Sequence, residues 1–414
     1  MAEMDASNIK RLPSGNSDFR EVMTKGRYYV DKTMYLPLLE NTDDFLFAAR
    51  PRRFGKSMFL TMMRDYYDIN RAEAFKEEFE GTWIAGHPTP LQGKCQVMFL
   101  DFSMVPSTKG KTIEEKFSNY FDSCLEQFFF DYERFYDKSF IDSIVTSSGL
   151  GARLQRLGKN ARDNGYRLYL IVDEYDNFTN TILGSSGMED YTAMTHEEGF
   201  YRDAFMSFKP NFAYIMMMGV SPMTLSDLTS GYNIATNITF WGKFNQMLGF
   251  SEDDVREMIR YYHEAGMLEM EEEDIIDHIR PWYDNYCFSK ESFANGDPGM
   301  YNSNMVLRYL GKIINTGTPP ESMEDYNANS DSSKLRTLVD FDKKNPDSRS
   351  VILDIATKGY IVAPLAEQVS LNDMGKEEFL PSLLTYQGAL TIGSSERGDT
   401  RLVIPNKNAR SQMY

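Results

Sequence analysis

Two short stretches of this chain hold the residue types best suited to chemistry. They are Arg50-Pro51-Arg52-Arg53-Phe54-Gly55-Lys56-Ser57 and Asp173-Glu174-Tyr175-Asp176. The first stands between an apolar run at 45–49 and an amphipathic run at 58–63, which reads as strand, loop and helix, with Gly-Lys-Ser at the helix start. Such a place offers backbone N–H groups, the positive end of a helix and a lysine charge, the three things a phosphate needs. In that reading the N–H groups of Phe54, Gly55, Lys56 and Ser57 face the β-phosphate. Lys56 bridges the β- and γ-phosphates and so takes part in catalysis, the Ser57 hydroxyl ligates Mg²⁺, and Arg52 and Arg53 add local positive charge. Arg50 stands where the full pattern has its first Gly. A plain basic turn is the alternative.

The second stretch ends an apolar run, Leu168-Tyr169-Leu170-Ile171-Val172, in two acids. Asp173 at a strand end would hold Mg²⁺, and Glu174 would orient and deprotonate an attacking water. Two solvated acids in a turn is the alternative for either motif alone, and the pair of motifs is much stronger than each. A third run, Tyr214–Gly219, leads into Val220-Ser221-Pro222. Ser221 is the candidate sensor of a γ-phosphate, with a simple loop serine as the competing reading.

The elements that must position these groups follow from hydrophobic periodicity. Strands are expected at 45–49, 97–102, 168–172, 214–219 and within 238–250, and helices at 57–67, 113–131 and 151–164. Strands alternating with helices give an α/β fold with a mostly parallel sheet covered on both faces, and with the two motifs at strand ends the expected fold is a P-loop NTPase of three αβα layers. From 251 the pattern turns helical, opened by a capping box at Ser251-Glu252-Asp253-Asp254. An aromatic loop at 282–288 reads as packing core rather than a ligand cage. Residues 316–334 are rich in Pro, Ser, Asn and Asp and read as a linker. The last segment reads as helix, strand, helix and hairpin, the outline of a winged helix. The expected domains are 1–43 packed on the core, 44–250 the core, 251–334 a helical lid with linker, and 335–414 winged-helix-like. Residues 28–33, with Asp31 and Lys32, are placed either over an adenine ring or as a strand on the sheet edge.

Bulk properties narrow the classes. A chain of 414 residues has room for two or three domains, and 25 Tyr with 28 Phe argue against disorder. A net charge of −17 disfavours nucleic-acid binding by overall charge, although Arg397, Arg401, Lys407 and Arg410 collect near the expected wing. Cys95, Cys124 and Cys287 lie far apart, and the four histidines are scattered, so neither a disulfide framework nor a metal-ligand spacing is present. The start is not a signal peptide and no apolar run reaches membrane-spanning length, so a cytoplasmic protein that does not enter the membrane is expected.

The chain resembles the AAA-ATPase-like P-loop family of anaerobic bacteria. The resemblance spans nearly the whole chain. It rests on Tyr29-Val30-Asp31-Lys32-Thr33, the octapeptide, Leu100-Asp101-Phe102-Ser103, Val172-Asp173-Glu174-Tyr175-Asp176 and Gly219-Val220-Ser221. It continues in Gly249-Phe250-Ser251-Glu252, Trp282-Tyr283-Asp284 and Ile404-Pro405-Asn406-Lys407. The resemblance implies that Arg at position 50 is normal. It also implies ATP and Mg²⁺ as ligands, and a core coupled to a lid and winged helix. Relatives carry a PD-(D/E)XK nuclease-like domain after the Ile-Pro-Asn-Lys segment, which is expected to be absent from a chain ending at Tyr414. Ser221-Pro222-Met223 departs from the family's Ser-Arg-Ile. Three functional readings remain: an ATPase switch acting on a protein partner, a nucleotide-binding scaffold with little hydrolysis, and a DNA-associated role compatible with either.

Overall fold

The computed structural model describes residues 9–13, 15–106, 111–147, 149–196, 199–229, 235–324, 346–396 and 399–413. The chain divides into two compact units: a sheet unit, Thr33–Ala48 with Leu60–Ile238, and a composite unit, Met1–Lys32 with Ala49–Phe59 and Thr239–Tyr414.

The sheet unit is organised by five strands, β1 (Phe45–Ala49), β2 (Cys95–Asp101), β3 (Arg167–Asp173), β4 (Tyr214–Gly219) and β5 (Thr236–Asn237), in the order β2-β3-β4-β1-β5. The pairs β2–β3, β3–β4 and β1–β5 are parallel. Every residue of β3 after Arg167 is buried. Successive side chains of a strand point to opposite faces, so both faces of the sheet are covered, which is why these strands read as unbroken apolar runs. The helices that follow the strands are α1 (Lys56–Tyr67), α2 (Ile113–Asp131), α3 (Leu150–Asp163) and α4 (Met223–Thr229). Helix α2 packs on β2 and α3 on β3. The fold is the α/β P-loop type. One expected element is displaced: the strand sought within 238–250 lies just before it, at Thr236–Asn237. It is two polar residues long and has no hydrophobic signature.

The composite unit is helical and then mixed. Helices α5 (Glu252–Glu264), α6 (Glu272–Tyr283) and α7 (Ser303–Thr316) share a core of Val255, Ile259, Ile276, Ile279, Val306 and Leu310. The capping box forms as read: Ser251 Oγ accepts from the Asp254 N–H, and the Asp254 carboxylate accepts from the Ser251 N–H. The N-terminal segment divides at Lys32: up to that residue it groups with α5 in the composite unit, and from Thr33 it groups with the sheet unit. Tyr28 lies edge-on to Tyr261 at 5.2 Å, the Tyr262 hydroxyl donates to the Lys10 carbonyl at 2.7 Å, and Lys32 Nζ meets Asp254 Oδ2 at 2.6 Å. Residues 28–32 form no strand.

The C-terminal part runs α8 (Pro346–Lys358), β6 (Tyr360–Ala363), α9 (Phe379–Tyr386), β7 (Thr391–Glu396) and β8 (Asp399–Val403), with an antiparallel sheet ordered β6-β8-β7. This follows the helix, strand, helix and hairpin outline. The aromatic loop is stitched to it: the Cys287 N–H donates to Thr391 Oγ1 at 2.8 Å, and Asn406 Nδ2 donates to the Asp284 carbonyl at 2.8 Å. Tyr283, Tyr286 and Phe288 are buried, as expected of packing core. Most of the linker expected at 316–334 lies outside the described residues.

Candidate functional site

The phosphate loop leaves β1 at Ala49 and re-enters regular structure at Lys56. Arg50, the residue in place of Gly, is 1% exposed. Its guanidinium donates to three carbonyls, those of Ala49 at 2.9 Å, Thr239 at 2.7 Å and Phe244 at 2.9 Å. It does not take a left-handed backbone; the positive φ values in the loop belong to Arg53 (70°) and Gly55 (83°). The conformational freedom of glycine is therefore not required at position 50, and a long planar cation that satisfies several carbonyls is.

Lys56 is buried, and its Nζ donates to the carbonyls of Arg50 and Pro51, each at 3.1 Å. The ammonium thereby closes the loop on itself. Arg52, Arg53 and Ser57 are half-buried and Gly55 is exposed. The Phe54 ring is buried edge-on against Tyr286 at 4.9 Å and Phe288 at 5.5 Å, and its carbonyl accepts from the Gly249 N–H at 2.9 Å. The side chain of Phe54 thus anchors the loop, while its N–H is the group read as a phosphate donor. Pro51 meets the turn after α9: a methyl group placed on Gly388, at φ 81°, would stand 2.8 Å from Pro51 Cβ and Cγ.

In the sheet unit, Asp173 closes β3 with 2% exposure, and its Oδ1 accepts from the Glu174 N–H at 2.9 Å. Glu174 takes φ 50°, a left-handed conformation unusual for glutamate. Asp176 is buried, and its carboxylate accepts from the N–H groups of Val220 at 3.2 Å and Ser221 at 3.1 Å. It clamps the end of β4 to the turn after β3. A Cβ on Gly219 would fall 2.3 Å from Tyr175 Cε1 and 2.5 Å from Asp176 Oδ1, so only glycine admits this contact. Ser221 is buried and caps α4, its Oγ accepting from the Met223 N–H at 3.2 Å. Asp101, at the end of β2, is the register partner of Asp173.

A family model described as predicted AAA-ATPase matches residues 13–229, a little over half of the chain. The chain belongs to this AAA-ATPase-like family. The match takes in both the loop and the acidic strand end. This AAA-ATPase-like protein is also 25% identical, over 427 aligned positions, to an uncharacterized protein in the vnfD 5′ region of Azotobacter chroococcum mcd 1. That alignment covers 98% of this chain and 69% of the relative. Among solved structures it matches the Aeropyrum pernix ORC2 protein, crystallised as ADPNP-ADP complexes, with a TM-score of 0.37 and 11% identity over 92% of this chain and 90% of that one. A likeness that loose bears on neither site nor function.

Of the sequence-selected residues of the AAA-ATPase-like protein, Arg52, Arg53, Phe54, Gly55, Lys56 and Ser57 fall in one loop of the composite unit. Asp173, Glu174 and Ser221 fall at strand ends of the sheet unit. Among the described residues no group of three or more His, Cys, Asp or Glu is placed to hold a metal ion. A Mg²⁺ that arrives with a triphosphate needs fewer protein ligands than that, and a hydroxyl and a carboxylate suit it. Of the cations collected in the C-terminal part, Arg401 lies 3.9 Å over the Tyr360 ring and Lys407 5.5 Å over the Trp282 ring, so both pack against aromatic surface. Arg410 lies beside Gly359. Arg397 is outside the described residues. No described helix is long and apolar enough to cross a membrane.

The sequence reading missed Arg50 as a buried clamp, Asp176 as a strand-end clamp, and the segment Asn302-Ser303-Asn304, which binds the loop from 250 residues away. Asp176 stood inside a quoted motif. The Asn302 segment offered only an N-cap signal.

Proposed function

We propose that this chain binds ATP and hydrolyses it with Mg²⁺, acting as a molecular switch. The observation that carries this reading is the sheet order. Strand β4 lies between β1, which runs into Gly55-Lys56-Ser57, and β3, which ends in Asp173-Glu174. Open α/β sheets bind ligands beyond the carboxyl ends of their strands, at such interruptions of order. Family membership supports a nucleotide-binding ATPase type.

In this reading Lys56 gives up its loop carbonyls for β- and γ-phosphate oxygens, Arg52 and Arg53 attract the anion, and backbone N–H groups from Phe54 to Ser57 orient it. Glu174 accepts the proton of the attacking water. Ser57 and Asp173 are the groups that would hold Mg²⁺, which supplies charge neutralisation on the phosphate oxygens when bound. Ser221, through its place at the end of β4, would report on the γ-phosphate. The lid and the C-terminal part would relay the nucleotide state to a protein partner.

The test is calorimetric ATP binding and phosphate release for wild type and Lys56→Ala. Loss of one charge-assisted contact should weaken ATP binding by about 10- to 100-fold. Equal affinity in both proteins would sink the loop assignment. Tight binding without phosphate release would support the scaffold reading instead.

A further inference from the structure

Helix α7 begins against the phosphate loop. Asn302 caps it, accepting from the Met305 N–H at 3.3 Å, while Asn302 Nδ2 donates to the Arg52 carbonyl at 3.3 Å. Ser303 Oγ donates to the Arg53 carbonyl at 3.0 Å, and the Asn304 N–H donates to the same oxygen at 3.2 Å. Asn302 and Ser303 are both buried. The first N–H groups of a helix have no partner within it, and here one of them is satisfied by the loop.

Arg53 is the residue of the loop that needs such help. At φ 70° it sits in a left-handed conformation that costs a side-chain-bearing residue and costs glycine little. Strain of this kind persists only where the surroundings over-determine it. Two donors from the start of α7 converge on the carbonyl of the strained residue, and a third takes the carbonyl before it. We propose that Asn302, Ser303 and the Asn304 amide are positioning groups for the phosphate loop. They hold Arg52-Arg53 in the shape that presents the N–H groups of residues 54–57, and they make that shape conditional on the seating of α7. The link to ATP rests on the nucleotide reading above; the latch itself does not.

A double-mutant cycle separates the two. Amide hydrogen exchange at residues 54–57 is measured on the nucleotide-free full chain for wild type, Ser303→Ala, Arg53→Gly and the double variant. Ser303→Ala should speed exchange about fivefold, the loss of one hydrogen bond. Glycine adopts the left-handed conformation freely, so in the Arg53→Gly background the same change should matter less than about twofold. Ser303→Thr keeps the hydroxyl and should restore the wild-type rate. No effect of Ser303→Ala, or the same factor in both backgrounds, would overturn the latch. A fluorescent ATP analogue with Mg²⁺ gives the second readout, where Ser303→Ala should weaken affinity about fivefold and Ser303→Thr less than about twofold. A wild type that binds no analogue would remove the ATP reading, and the exchange cycle would still decide the latch.

Discussion

The guanidinium carbon of Arg50 lies 4.2 Å from the centre of the Phe288 ring. One face of the cation is covered by an aromatic ring while its edge donates to three main-chain carbonyls. The buried charge thus meets acceptors on its two terminal nitrogens and an aromatic face, and the start of the phosphate loop is fixed to two distant segments of the composite unit. Arg50→Ala leaves those carbonyls buried without this donor. It should destabilise the protein by about 3 kcal/mol or more in chemical denaturation. Arg50→Lys retains the charge without the planar fork and should recover less than half of that loss. A loss within about 0.5 kcal/mol for Arg50→Ala would show that the clamp contributes nothing.

Glu174→Gln tests the proposed base. The amide keeps the shape of the side chain but cannot take a proton. Phosphate release should fall by about 10²- to 10⁴-fold, with ATP affinity changed by no more than about threefold. Unchanged turnover would assign the base elsewhere.

Gly388→Ala probes the contact between the C-terminal part and the loop. Alanine at φ 81° is strained, and its methyl group would press on Pro51. A loss of about 1–3 kcal/mol is expected, with faster amide exchange in the Pro51 loop. Exchange unchanged at the loop, with stability lost, would confine the effect to the turn after α9.

Asp284 gives a pH dependence. Burial pushes its carboxyl from the ordinary 3.8 up to about 6; the Asn285 N–H opposes this, the charge of Glu252 adds to it and Arg280 subtracts. Because the folded value is raised, the stability it contributes is full below about pH 4 and is lost as pH rises through 6. Asp284→Asn removes that loss. The variant should match wild type near pH 4 and exceed it by about 2–3 kcal/mol at pH 8. Parallel stability curves across this range would show that Asp284 is not titrating there.

The sheet was legible because burial on both faces writes a strand as a bare apolar run. Phe45–Ala49 and Tyr214–Gly219 were therefore placed to the residue. Thr236–Asn237 was not, since two polar residues that pair with β1 carry no such signal. Helix starts were legible where a side chain closes on its own backbone, as Ser251 does with Asp254. The candidate residues were legible by type and spacing. What held them was not, because the support comes from far along the chain. Arg50 reads as a missing glycine until Thr239 and Phe244 are seen to accept from it. Residues 1–43 read as packed on the core, and what supports the part up to Lys32 was hidden for the same reason. Its partners, Asp254, Tyr261 and Tyr262, are more than two hundred residues away.

The composite unit draws on three separate stretches of chain, and this has a consequence for the order of events on the ribosome. The acceptors of Arg50 lie 189 and 194 residues downstream and the donor to Arg53 lies 250 downstream. At about 5–20 residues per second, the loop is synthesised roughly 10–50 s before Ser303 is available to it. During that interval the nascent chain has the phosphate-loop sequence without these clamps. On the proposed function, nucleotide binding would begin only once the C-terminal half has emerged.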